Sequence, residues 1–105
     1  MKYQLYVKNF EITPSLREYL ADKLKKMEHF SDKIISFNID LSRDAHHHKG
    51  QVYRAEFNIA VGKKLVRVVE TDFDIHAAID KARDNAARQL TKIKEKETDD
   101  EQLAV

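Results

Sequence analysis

Hydrophobic and polar positions alternate in some stretches of this chain and recur at helical spacing in others. Tyr3, Leu5 and Val7 alternate with Gln4 and Tyr6, a period of two that predicts a strand. Thr13-Pro14 follows, a good N-cap with a proline tolerated in the first turn. From there Leu16, Leu20, Leu24 and Met27 fall on one face of a helix over residues 14–29. Ile35, Phe37, Ile39 and Leu41 alternate with Ser36, Asn38 and Asp40, predicting a second strand that the polar segment Arg43–Gln51 ends. Tyr53, Ala55, Phe57, Ile59 and Val61 predict a third, Gly62-Lys63-Lys64 a hairpin turn, and Leu65–Glu70 a fourth.

The last stretch is the most regular. Ile75, Ile79, Ala82, Ala86, Leu90 and Ile93 form the apolar stripe of a long amphipathic helix, which Asp72 or Asp74 can cap. The order is β-α-β-β-β-α, which predicts an α+β fold: a four-stranded, mostly antiparallel sheet with both helices packed on one face. One domain over residues 1–96 is expected, with residues 97–105 a short, disordered acidic tail.

Charge changes the picture once it is placed along the chain. The 105 residues carry 19 Lys and Arg against 18 Asp and Glu, net +1. Glu97, Asp99, Asp100 and Glu101 all lie in the tail, so the body has 19 cations against 14 acids, net +5, and suits a polyanionic partner. At about 100° per residue, Lys81, Arg88, Lys92 and Lys96 share a sector of roughly 90° with Asn85, beside the apolar stripe. Asp80, Asp84 and Glu95 lie on a different face. On the first helix Lys23 and Lys26 flank the apolar face, while Lys25 points outward. Side by side, the two helices would let these stripes line one groove or ridge, as phosphate binding needs.

Other chemistry is poorly supported. No cysteine is present, so disulfides, thiolate metal sites and cysteine nucleophiles are excluded. Adjacent residues in an extended loop point apart, so His46-His47-His48 reads as a solvated polar loop and no metal is expected. With only Gly50 and Gly62, a glycine-rich phosphate cradle is impossible. Ser15, Ser31, Ser36 and Ser42 have no nucleophile-elbow context, and catalysis is not expected. No RNP-like aromatic motif marks the outer sheet face, where Tyr6 is a lone aromatic. No apolar stretch approaches the ~20 residues of a membrane span or forms a signal-peptide core, so a cytoplasmic protein is expected.

Two motifs resemble a known family. Glu11-Ile12-Thr13-Pro14-Ser15-Leu16-Arg17-Glu18-Tyr19-Leu20, with Lys23-Leu24 and Met27-Glu28, is similar to the first helix of the ribosome hibernation promoting factors. That family includes the ribosome-associated inhibitor protein Y and is also described as modulating an alternative sigma factor. Asp74-Ile75-His76-Ala77-Ala78-Ile79-Asp80, running to Arg88-Gln89-Leu90 and Lys92-Ile93-Lys94, resembles the family's second helix. The likeness covers residues 3–96. His76 stands where the family usually has Tyr, and Asn85 where it often has a basic residue, with Lys81 a turn earlier as a substitute.

The resemblance implies a domain like a double-stranded-RNA-binding fold that sits on the small ribosomal subunit over the messenger and decoding sites. It implies inhibition of translation by steric occlusion of idle bacterial ribosomes in stationary phase or stress, without cofactor or catalysis. It places RNA-facing residues at Lys23, Lys26, Arg88, Lys92 and Lys96. By length the chain resembles short members, expected to be monomers off the ribosome. Its short acidic tail leans towards members that pair ribosomes with a helper protein, rather than those that lock single ones. Two alternatives stay open: a general double-stranded-RNA binder, and a protein-interaction module acting on a sigma factor or polymerase.

Overall fold

A computed structural model describes residues 2–44 and 52–103, with side chains as far as residue 94 except Ser31. The His46–His48 run lies outside the described residues. The elements are β1 (Gln4–Lys8), α1 (Pro14–Lys25), a 3-10 turn (Glu28–Lys33), β2 (Ile34–Asp44), β3 (Val52–Val61), β4 (Lys64–Asp72) and α2 (Ile75–Leu103). The sheet order is β1-β2-β3-β4. β1 runs parallel to β2, and the other neighbours are antiparallel. The fold is therefore the α+β arrangement that the hydrophobic pattern predicts, with α1 as the crossover that a parallel pair requires.

One face of the sheet and the inner faces of both helices make the core. Phe37, Ile39, Leu41, Ala55, Phe57, Ile59, Val61, Val66 and Val68 come from the strands. Leu16, Leu20 and Leu24 come from α1, and Ala78, Ile79, Ala82, Ala86 and Leu90 from α2. Three alanines on the buried face of α2 let its backbone lie close to the sheet. Among the described residues no polar or charged residue is buried, so the core carries no desolvated charge to compensate.

Local chemistry sets the boundaries. The Thr13 hydroxyl accepts from Leu16 N–H at 3.1 Å, and Pro14 occupies the first turn of α1. Asp74 caps α2: its carboxylate accepts from His76 N–H at 3.1 Å, while Asp72 accepts from Asp74 N–H at 3.0 Å. Both candidate caps are thus used, in series. Gly62 has φ +60° and Lys63 does not share a positive φ, which gives the tight β3–β4 hairpin a II′-like turn.

Several details differ from the pattern, among them β2, which runs on through Arg43 to Asp44, and β4, which spans Lys64–Asp72. α1 ends at Lys25 rather than near residue 29, and Met27 reaches the core through a turn whose N–H bonds to the Leu24 carbonyl at 2.9 Å. A register shift between Ile34 and Ser36 puts Ile34 against the core and leaves Ile35 71% exposed, against the expected alternation. The backbone of α2 continues through Leu103, where the sequence reading ends it at Lys96.

Candidate nucleic-acid interface

The two helices meet through a polar seam. The Tyr19 hydroxyl donates to Asp80 Oδ1 at 2.6 Å, and Lys23 Nζ lies 3.3 Å from the same oxygen. The Lys23 ammonium also sits 5.3 Å from the centre of the Tyr19 ring. Tyr19 meets His76 edge-on, with ring centres 4.6 Å apart. From Tyr19–His76 to Lys23–Asp80 both helices advance four residues in the same sense, so α1 and α2 run parallel. Burial, then the hydrogen bond to Asp80 and the Asp80 charge, push the Tyr19 hydroxyl up to about 12.

On α2, Lys81 is committed as well. Its ammonium lies 2.9 Å from Asp72 Oδ2 and 2.9 Å from the Thr71 carbonyl, tying the first turns of α2 to the end of β4. The Asp74 N–H and then Lys81 hold the Asp72 carboxyl below its ordinary value. One turn on, Asn85 donates to Glu70 of β4 at 3.2 Å and accepts from Gln89 at 3.0 Å.

Arg88 and Lys92 differ from these. Both are exposed, and no carboxylate pairs with either among the described residues. One helical turn separates them, a rise of about 6 Å. Lys26, at the C-cap of α1, is exposed in the same way. The Lys96 side chain lies outside the described residues. The residues singled out from the sequence thus fall into two groups: Lys23 and Lys81 in ion pairs that join elements, Lys26, Arg88 and Lys92 presenting charge to solvent.

Nor do the lysine stripes line a single groove. Lys23 approaches α2 from the Asp80 flank, whereas Lys81 and Asn85 touch β4. At about 100° per residue, Arg88 and Lys92 turn roughly 80° and 120° away from Asp80, toward solvent and the β4 side. Lys23 and the α2 set therefore stand on different flanks of α2.

Sequence reasoning missed a second charged cluster, on the sheet face turned away from the helices. Glu56 accepts from Arg54 at 2.5 Å, from Asn58 at 2.8 Å and from Arg67 at 3.4 Å. These bonds, the one from Asn58 foremost, bring the Glu56 carboxyl down to about 2. Alternation along β3 puts Arg54, Glu56 and Asn58 on one face. Arg67 joins them through the register that sets it opposite Asn58, which spacing within one strand cannot reveal.

Comparison with known proteins gives a consistent result. The sequence model of the family described as Sigma 54 modulation protein / S30EA ribosomal protein matches residues 3–98. The ribosome hibernation promotion factor of Deinococcus radiodurans is 37% identical over 93 residues, covering 88% of this chain and 48% of that protein. This chain thus spans about half the length of that relative. The ribosome hibernation promoting factor of Klebsiella oxytoca is 35% identical over 88 residues, 84% of this chain and 87% of that protein. Among solved structures, the N-terminal domain of Thermus thermophilus Protein Y superposes with a TM-score of 0.72 at 30% identity, covering 89% of this chain and 99% of that one.

Proposed function

Because the chain belongs to the Sigma 54 modulation protein / S30EA ribosomal protein family, that of the ribosome hibernation promoting factors, we propose that it binds the small ribosomal subunit and inhibits translation. In this reading it occupies the messenger and decoding channel and excludes messenger and tRNA by bulk. The observation that carries it is the exposed pair Arg88 and Lys92 on α2, free of carboxylate partners among the described residues. Such cations bind phosphates by releasing condensed counterions, a gain that a pre-existing ion pair would cancel. Lys26 adds a third contact from α1. Lys23 and Lys81 serve chiefly by holding α1, α2 and β4 in place, and Lys96 extends the α2 set by one turn. The work is occlusion, so no catalytic group or cofactor is required. The chain acts as a monomer off the ribosome, and a helper protein joins it if ribosomes pair.

Co-sedimentation through a sucrose gradient with purified ribosomes tests this. Wild type should travel with the small subunit at moderate salt, and Lys26→Glu/Arg88→Glu/Lys92→Glu should stay at the top. Wild type alone should then inhibit translation in vitro. Failure of wild type to co-sediment even at low salt would sink the reading and leave a protein partner as the target. Equal affinity for any A-form duplex would reduce it to general double-stranded-RNA binding.

A further inference from the structure

Among the described residues no element covers the face of the sheet opposite the helices, and its register organises it in rows. Lys8 pairs with Ser42, Ser42 with Arg54, and Arg54 with Thr71. This row crosses all four strands, about 14 Å, with a hydrogen-bond donor at every position and no carboxylate. The next row is Tyr6, Asp40, Glu56 and Val69. Tyr6 is 53% exposed, and its hydroxyl donates to Gln4 at 2.6 Å, which fixes the ring along β1. Asp40 makes no ion pair among the described residues, whereas Glu56 is saturated by its three donors and holds Arg54 in place. Between the rows lies an open groove of about 430 Å³ lined by Tyr6, Lys8, Asp40, Ser42, Arg54 and Glu56.

We propose that this outer sheet face is a second RNA-binding surface that takes a short single-stranded segment. A backbone phosphate meets the Lys8 ammonium, the Ser42 and Thr71 hydroxyls and the Arg54 N–H groups not bonded to Glu56 donate along the same row, one base stacks on Tyr6, and Asp40 accepts a hydrogen bond from that base's exocyclic amine. Single-stranded RNA fits better than a duplex because only an unpaired base exposes a ring face and its amine together. A carboxylate beside the ring favours an amino-bearing base such as cytosine over uracil, which offers a carbonyl there. The surface is separate from Arg88 and Lys92, so the inference does not rest on the helix-face reading.

Fluorescence anisotropy of the full chain with labelled octacytidylate and octauridylate at low salt tests it. Octacytidylate should bind several-fold tighter than octauridylate, and Asp40→Asn should narrow that gap. Tyr6→Ala should weaken octacytidylate by about ten- to a hundredfold, while Tyr6→Phe, which keeps the ring, restores binding. Lys8→Ala should flatten the dependence of log K on log salt by about 0.7. Far-UV circular dichroism checks that each variant is folded. Arg88→Glu/Lys92→Glu should lose ribosomes in the gradient yet keep most of its octacytidylate affinity, which separates failure of one surface from failure of the other. The inference is overturned if wild type ignores octacytidylate, or if folded Tyr6→Ala binds it as wild type does. It is also overturned if the helix variant is the one that loses the oligonucleotide. Capture of an acidic peptide with no oligonucleotide binding would mark a protein-docking face and overturn it too.

Discussion

The hydroxyl of Tyr19 is held against a carboxylate at the helix seam, with an ammonium over its ring. Asp80 accepts its proton-bearing bond at 2.6 Å, and Lys23 spans both groups. Ionising Tyr19 would leave a phenolate in a partly desolvated seam and, second to that, set it against Asp80, which is why its value stands at about 12 instead of 10.0. The folded value lies above the unfolded one, so this contribution to stability is complete below about pH 10 and is lost as pH rises toward 12. Thermal denaturation at about pH 9 and about pH 11 should therefore show a larger fall in Tm for wild type than for Tyr19→Phe. An equal fall in both proteins would mean that Tyr19 is not the group responsible.

Among the elements, α2 depends most on its first turn, where Asp74 caps it and Lys81 straps it to β4. Asp74→Ala should cost about 1 kcal/mol in urea unfolding, with the midpoint lowered and the slope unchanged. The cap was legible in the sequence, as were the strands and the apolar stripe of α2, because each depends on residues close together in the chain. Ile35 was not: the bulge that turns it outward is a property of β2 against β3. Lys23 was not either. Its position beside the apolar face of α1 was clear, but its pairing with Asp80 depends on two helices meeting 57 residues apart in sequence. The exposed cations Arg88 and Lys92 were legible because solvent leaves helical spacing undisturbed. Arg54, Arg67 and Glu56 became a cluster only through cross-strand register.

As a whole molecule, the protein displays cations on α2 and a separate donor row across the back of the sheet. If α2 binds rRNA, the salt dependence should report how many phosphates it neutralises. Removing Arg88 and Lys92 together should lower the magnitude of the log–log slope for ribosome binding by about 1.8. An unchanged slope would show that those side chains meet no phosphate. The parallel course of α1 and α2 bears on the same encounter. Antiparallel helices cancel one another's macrodipoles, whereas here both place about half a positive charge at one end and half a negative charge at the other. α2 then runs on to Leu103, so the acidic stretch from Glu97 to Glu101 lies toward the negative end and lengthens the separation. A body polarised in this way feels a torque in the field of a polyanion, which swings the acidic end of α2 away before contact and leaves the flank carrying Arg88 and Lys92 to meet it.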